Sequence, residues 1–125
     1  DLFDIHIKGC KVIAGDFSDA NFCNRISNKV IFAQVEIIDS ILRFCRFPKL
    51  YLENCKLSGN DLTEADFAHS NLKSCDLSNC ILNGANFMHA SLENADIKNS
   101  EIIKPNYKLY SKDKYHATIR FPQYR

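Results

Sequence analysis

The sequence predicts an all-β fold in which a single chain winds into a square, parallel β-solenoid. Three observations predict it. A period of five residues runs through almost the whole chain, the residues on that period are large and apolar, and the residues two positions earlier are small. Neither the 3.6-residue period of a helix nor the two-residue period of an ordinary strand fits this register. With 125 residues the chain is long enough for one domain.

The five-residue period begins at Leu2 and ends at Tyr107. Leu, Ile, Val, Phe or Tyr occupies 21 of these 22 positions, and Ala, Cys, Ser or Gly occupies 14 of the 21 positions that lie two residues earlier. One such unit cannot bury its large residue alone. If four units form a square coil and the coils stack about 4.8 Å apart, every large residue points into a shared interior.

A coil of 20 residues predicts which side chains stack in the interior. Four columns are expected: Leu2, Phe22, Leu42, Leu62, Leu82 and Ile102; Val12, Phe32, Leu52, Leu72 and Leu92; Phe17, Ile37, Leu57, Leu77 and Ile97; and Phe47, Phe67 and Phe87, ending on Tyr107. We interpret these columns as a packed core.

Five short segments carry a resemblance to a known family: Ala65-Asp66-Phe67, Ser70-Asn71-Leu72, Cys75-Asp76-Leu77, Ala85-Asn86-Phe87 and Ala95-Asp96-Ile97. They resemble the A(D/N)LXX motif of the pentapeptide repeat family. The resemblance covers residues 1–104, is strongest over 55–102 and is degenerate over 23–54. It implies a right-handed quadrilateral parallel β-helix of about five coils.

The chain leaves the repeat pattern at its C-terminal end. Residues 105–125 begin with a proline in the small position and are rich in Tyr and Phe, and Tyr115 to Phe121 alternate as a strand does. A solenoid end exposes backbone and apolar side chains that need a cover. We therefore expect 105–125 to be a non-repeat C-terminal cap, or the lead-in to a following domain. We also expect the chain to be a fragment of a longer protein.

The pattern is also broken inside the repeats. Arg25 and Ser27 stand where a small and a large apolar residue belong, so a bulge or loop is expected around Phe22 to Lys29. Val30, Val35 and Leu50 are large for the small position. The second and third coils are therefore expected to be wider or less regular.

The six cysteines follow the repeat. Five occupy the small inward position, where they serve as small apolar residues, and the spacing has no zinc-site pattern. Cys55 and Cys75 lie one coil apart, a separation that would permit a disulfide. The steric use of cysteine instead favours free thiols and a reducing compartment. Cys23 points outward and is the candidate reactive thiol.

Large apolar residues gather at outward positions within a short stretch of chain. They are Ile26, Ile31, Ile38, Ile41, Phe44 and Tyr51. One interpretation is a partner-binding patch. The other is packing against a loop, a neighbouring domain or the tail. Both interpretations require something to contact these residues.

Acidic residues occupy outward positions on another predicted face. They are Asp16, Asp19, Glu36, Asp39, Asp76 and Asp96, with Lys56 and Lys98 among them. Such a stripe could mimic DNA phosphates, meet a basic partner, or be a solvated face. His69 and His89 are expected to stack one coil apart below Lys49. Two histidines without a third ligand make a poor metal site.

The sequence favours a binding role over catalysis. It contains no nucleophile–base pair, no glycine-rich phosphate loop and no paired carboxylates at a cleft, so no cofactor is expected and this segment is not expected to be an enzyme. No stretch of 18 apolar residues is present, so we expect no membrane span. The first hypothesis is a non-catalytic protein–protein interaction module, with an unidentified protein partner.

The resemblance supplies the setting of that module and its alternatives. Similar domains occur in secreted bacterial effectors, including some that precede a ubiquitin ligase, which implies the bacterial cytoplasm or delivery into a host cell. The alternatives are a gyrase-protecting DNA mimic that confers quinolone resistance, and a structural spacer. No direct nucleic-acid binding is expected, and dimerisation stays open.

The net charge of +1 divides into −4 over residues 1–102 and +5 over 103–125.

Overall fold

Stacked parallel coils form the body of the molecule in the computed structural model. The structure describes residues 5–20, 23–26, 29–32 and 35–102; for 23–26 and 29–32 it describes the backbone only. These described residues include four short strands: β1 (His6–Lys8), β2 (Cys23–Ile26), β3 (Lys29–Phe32) and β4 (Glu36–Ile38). β1 pairs in parallel with β4, and β2 pairs antiparallel with β3. The predicted cap at 105–125 lies outside the described residues.

Isolated parallel bridges continue the pairing beyond the strands. They join residues 20 apart, once in every five residues: Glu36 to Lys56, Ile41 to Asp61, Arg46 to Asp66 and Tyr51 to Asn71, and then the same four rows again in the next coil. Four bridges in each 20-residue coil give the coil four sides. The coarse prediction, a solenoid of stacked four-sided coils, is therefore confirmed.

Each corner of the coil is a β-turn. At most corners the N–H of the small residue donates to the carbonyl of the large residue three positions earlier, as in Ala65 to Leu62 at 3.0 Å. The N–H groups of Ser40, Leu50 and Cys80 donate instead to a polar side chain of the next coil. The third residue of the turn has φ near +60°, for example 60° at His69 and 55° at Asn79, which is the geometry of a type II turn. The motif's Asp or Asn supports the same turn. Asp66 Oδ1, for instance, accepts the N–H of Ala68 at 3.0 Å.

The large and small residues of the repeat form one continuous core. Leu62, Phe67, Leu72, Leu77 and Leu82 are fully buried. Phe47, Phe67 and Phe87 stack as predicted, with ring centroids 5.0 and 5.3 Å apart. Tyr107, the expected end of that column, lies outside the described residues.

Polar residues in the small position are fully hydrogen-bonded. Asn60, which is 1% exposed, accepts the N–H of Ser40 at 2.8 Å and donates to the carbonyls of Ile37 and Leu57. Ser70 and Ser100 likewise accept an N–H and donate to a carbonyl of the coil below.

Cysteines share the small position and are free thiols. Cys45, Cys55, Cys75 and Cys80 are buried, and no disulfide joins Cys55 to Cys75. Burial raises the pKa of Cys55 to about 11 and that of Cys80 to about 12, and it raises the pKa of Cys75 well above its ordinary value. Cys10 was expected to point inward but is exposed, and the side chain of Cys23 is not described.

The first coil differs from the prediction because a hairpin is inserted into it. β2 and β3 pair Cys23 with Phe32 and Ile26 with Lys29, so the hairpin spans ten residues. Before it, bridges join residues 30 apart, as in Lys11 to Ile41 and Asp16 to Arg46. The break expected at Phe22 to Lys29 is therefore a hairpin, and from Glu36 onward the described bridges keep the 20-residue spacing despite Val35 and Leu50.

The insertion changes the predicted columns in the first coil. Phe17 stacks on Phe47, with ring centroids 4.8 Å apart and planes 4° from parallel, and not on Ile37. Val12 aligns with Leu42 and not with the column of Leu52, since the N–H of Val12 donates to the carbonyl of Ile41. Ten residues are half a coil, so each column continues on the opposite side.

Candidate partner-binding surface

One side of the solenoid carries three exposed apolar side chains. Ile13, Ile41 and Phe44 are 49%, 39% and 52% exposed. The bridge from Lys11 to Ile41 and the hydrogen bond from the Ala14 N–H to the Arg43 carbonyl, 2.9 Å long, bring the first coil onto the second here. We call Ile13, Ile41 and Phe44 the apolar patch.

The sequence missed Ile13 because of the hairpin. A 20-residue register places position 13 beside Ala33, whereas the observed 30-residue register places it beside Arg43, between Ile41 and Phe44. The outward apolar residue itself was visible in the sequence. The residues of the second coil that lie beside Ile13 can be identified only when the length of the insertion is known.

Phe44 has an unusual backbone conformation for its side chain. Its φ is 60°, in the left-handed region that Gly and Asn adopt most readily and that bulky residues rarely adopt. Equivalent corners elsewhere carry Asn54, Asn79, Asn94 and Asn99. A half-exposed phenylalanine at such a position is unfavourable for the turn and adds little to the core.

Arg43 is fixed in place at the centre of the patch. Its Nε donates to Asp61 Oδ2 at 2.6 Å, and Asp61 Oδ1 accepts both the hydroxyl and the N–H of Thr63. Burial acts to raise the pKa of Asp61, but the hydrogen bonds from Thr63 and Arg43 outweigh it and the net shift is downward. The guanidinium therefore has a defined orientation next to Asp61, the residue that bridges to Ile41.

The other members of the predicted six-residue patch lie elsewhere. Tyr51 is 57% exposed but is half a coil away from Ile41, on the opposite side of the solenoid. Ile38 is half-buried at the preceding corner. Ile26 and Ile31 belong to β2 and β3, and their side chains are not described.

The predicted acidic stripe is divided between two sides. Asp16 pairs with Arg46, 3.6 Å away, on a side different from that of Glu36, so its assignment to the stripe was wrong. Glu36, Asp76 and Asp96 do share one row, but His6 and Lys56 belong to the same row. The exposed Asp19 and Asp39 are on other rows.

Cations neutralise the lower part of that row. Glu36 contacts His6 Nδ1 at 3.1 Å and Lys56 Nζ at 3.2 Å. Hydrogen bonds from His6 and Lys56 lower the pKa of Glu36, and those from Ser18 lower the pKa of Asp16. Lys56 therefore offsets the charge of Glu36, and the row becomes acidic only at Asp76 and Asp96.

His69 and His89 stack as predicted, with ring centroids 4.9 Å apart and planes 25° from parallel. They lie in the same corner row as Lys49. Among the described residues, no group of three metal-ligating side chains gathers around them or elsewhere.

In the same ranges, no helix has the length and apolarity that crossing a bilayer requires.

A family model for pentapeptide repeats, in eight copies, matches residues 39–73 and 70–102. These matches cover just over half of the chain, and they coincide with the regular bridges and turns described above. The chain belongs to the pentapeptide repeat family. Proteins of this family form right-handed quadrilateral β-helices and are in general non-catalytic.

Solved structures of pentapeptide repeat proteins resemble the chain. A pentapeptide repeat protein from the thylakoid lumen of Arabidopsis thaliana is 25% identical, with a TM-score of 0.58, over 74% of this chain and 61% of that one. Full-length QnrB1, a plasmid-mediated fluoroquinolone resistance protein, is 17% identical, with a TM-score of 0.43, over 79% of this chain and 59% of that one.

A further pentapeptide repeat protein, HetL from the cyanobacterium Nostoc, is involved in the regulation of heterocyst differentiation. It is 19% identical, with a TM-score of 0.34, over 82% of this chain and 50% of that one. The chain thus spans less than two thirds of the length of each of these three proteins. No match to the sequence was found among the curated proteins.

Proposed function

We propose that this pentapeptide repeat domain is a non-catalytic protein–protein interaction module, and that the apolar patch of Ile13, Ile41 and Phe44 is its contact surface. The observation that carries the proposal is Phe44, a bulky aromatic side chain at φ 60° and 52% exposed. The fold requires this backbone conformation at the corner but does not require a bulky side chain there, so the presence of phenylalanine is a reason to look for function at that position.

The charges around the patch define the kind of partner that fits it. Aromatic residues and arginine are enriched in the centres of protein interfaces, and Arg43 stands beside Phe44 with its guanidinium held by Asp61. Lys11, also exposed, adjoins Ile41. A protein with an apolar pocket bordered by carboxylates complements this arrangement.

Charge pairing supports a protein partner over mimicry of DNA. A mimic needs a long run of uncompensated carboxylates, whereas Asp16, Glu36 and Asp61 each contact a cation.

We propose that the module acts in a reducing compartment, the bacterial cytoplasm or a host cell that receives it, as part of a larger effector-type protein. The free thiols support that setting.

Affinity capture with matched variants tests the proposal. Phe44→Asn removes the aromatic side chain and suits the left-handed turn, while Met88→Asn removes a 43% exposed side chain from another side. A partner captured by the wild type is purified, and its affinity is measured by calorimetry. We expect Phe44→Asn to weaken binding at least tenfold and Met88→Asn to leave it unchanged.

If both variants lost affinity for the partner equally, or if neither lost any, the apolar patch would not be the contact surface. Sedimentation of the domain alone shows whether the partner is a second copy. A gyrase supercoiling assay with a quinolone serves as the opposing arm, because protection of gyrase would favour the DNA-mimic alternative over the module.

A further inference from the structure

We infer that a groove along one corner of the solenoid binds a phosphate-type oxyanion. The groove has a volume of about 470 Å³ and is open to solvent. Lys49, Tyr51, His69, Asn71, His89 and Ser91 line it, together with Leu50, Ser70 and Lys73. This site is on a different corner from the apolar patch, so the inference does not depend on the proposed function.

The chemistry of the lining favours an anion. None of the lining residues, all of which are described, carries a carboxylate. Two are lysines, two are histidines, and Tyr51 and Ser91 contribute hydroxyls, whereas the buried Ser70 hydroxyl is already hydrogen-bonded to the backbone. Asn71 uses Oδ1 to accept the N–H of Lys73 at 3.0 Å, which leaves the amide nitrogen of Asn71 as the donor end.

Lys49, His69 and His89 form a row of cationic residues along the groove. They occupy the same corner in three successive coils, with φ of 56°, 60° and 57°, so they repeat at about 4.8 Å. Within the described ranges, no hydrogen bond or ion pair engages any of the three side chains. The other corner rows carry mainly Asn, Asp, Gly or Ser at this position.

The histidine stack gives a reason for an anion to bind here and for pH to control it. Histidine gains its positive charge between about pH 8 and pH 5. Two protonated rings with centroids 4.9 Å apart repel each other, and an anion that contacts both relieves that repulsion. A phosphate group has three acceptor oxygens and nearly two negative charges, so it can accept from both rings and from Lys49.

Other charged groups around the stack are few. Asp19 precedes Lys49 in the same row, one coil earlier in the 30-residue register, and Asp66 begins the pentapeptide of His69. Asp66 accepts hydrogen bonds from Ala68 and Asn86. Across the groove, Lys73 pairs with Glu93 at 3.9 Å, and Glu53 is in the row of Lys73. Within the corner row of Lys49, His69 and His89, Lys49 lies next to His69 and Asp19 lies one coil further away. Lys49 is therefore the permanently charged residue of that row that is nearest to the two histidines.

Nuclear magnetic resonance of the histidine rings tests the inference. The chain has four histidines, so the His69 and His89 signals can be assigned by substitution. With inorganic tripolyphosphate at pH 6, we expect saturable shifts of these two rings and no comparable shift of His6. Sulfate is titrated at pH 6 and pH 8, because its own charge is constant over that range. We expect its affinity to fall about tenfold at pH 8.

A double variant provides the control. His69→Asn with His89→Asn keeps a residue type that the left-handed corner accepts, so the fold is retained. We expect it to lose about tenfold or more in tripolyphosphate affinity, measured by calorimetry. His6→Asn and Phe44→Asn should bind as the wild type does. Unsaturable shifts of all four rings, undiminished binding by the double variant, or sulfate affinity that does not change with pH would each overturn the inference.

Discussion

The conformation of Phe44 leads to a prediction about stability at the level of one residue. An L-residue in the left-handed region costs roughly 1–2 kcal/mol relative to glycine, and asparagine tolerates the region well. We expect Phe44→Asn to raise the free energy of unfolding by about 1 kcal/mol, measured by urea denaturation. Stability and partner binding then move in opposite directions, as they do where function imposes strain.

The matched control reverses the change at an equivalent corner. Asn79→Phe introduces the aromatic side chain at φ 55°, where the native residue suits the turn. It should lower the free energy of unfolding by a similar amount. If Phe44→Asn were neutral or destabilising while Asn79→Phe behaved as expected, Phe44 would be contributing to packing, and the argument that it serves a partner would fail.

The buried thiols predict a loss of stability in alkali. The ordinary thiol pKa is 9.0, and burial raises it to about 11 in Cys55, to about 12 in Cys80 and well above the ordinary value in Cys75. Above pH 9 the unfolded chain loses these protons while the folded chain keeps them, so the unfolded state binds fewer protons. Stability is therefore complete below pH 9 and falls as the pH rises toward the folded pKa values.

A triple substitution isolates this effect from other titrating groups. Cys55→Ala, Cys75→Ala and Cys80→Ala place alanine where Ala65, Ala85 and Ala95 already occupy the same kind of position. Urea denaturation at pH 8 and at about pH 10.5 should show a smaller alkaline loss in the variant than in the wild type. Identical pH profiles for the two proteins would show that the thiols ionise equally in both states.

The β2–β3 hairpin can be removed without changing the register of the coils. Deleting residues 23–32 removes ten residues, which turns the 30-residue spacing of Asp16 to Arg46 into the regular 20. A two-stranded hairpin contributes little stability alone. We expect this deletion to fold with the circular dichroism spectrum of the wild type and with a free energy of unfolding, measured by urea denaturation, within about 1 kcal/mol of the wild-type value.

A deletion of different length provides the contrast. Removing residues 23–30 changes the spacing of Asp16 to Arg46 from 30 to 22 residues, which moves large side chains out of the interior of the first coil. It should be clearly less stable than the ten-residue deletion. Equal stability of the two deletions would mean that the first coil does not depend on the register that the bridges show.

The same hairpin marks the limit of what the sequence could predict. The five-residue period identified the inward residues from Val35 to Ile102 and the stacking of His69 on His89, because each depends only on position within the repeat. An insertion of ten residues preserves that period but shifts the first coil by half a turn. The pairing of Phe17 with Phe47, the separation of Asp16 from Glu36 and the place of Ile13 therefore required the structure.

At the scale of the whole molecule, the solenoid distributes stability along one axis. Each coil contacts only the coils beside it, so the effect of a substitution depends on its position along the stack. Phe67 is fully buried between Phe47 and Phe87, whereas Phe17 is half-buried and stacks on Phe47 in the first described coil. The same chemical change therefore has different consequences at these two positions.

Truncation of the two phenylalanines measures that difference. Phe67→Ala should cost about 3–5 kcal/mol of unfolding free energy and Phe17→Ala clearly less, because a half-buried ring leaves a smaller cavity. In native-state hydrogen exchange, Phe67→Ala should lower protection throughout residues 36–102. Phe17→Ala should lower it mainly for the amides of Val12, Ala14 and Phe17, which donate to the second coil. Global loss of protection in Phe17→Ala would show instead that the first coil and the rest of the stack unfold as one cooperative unit.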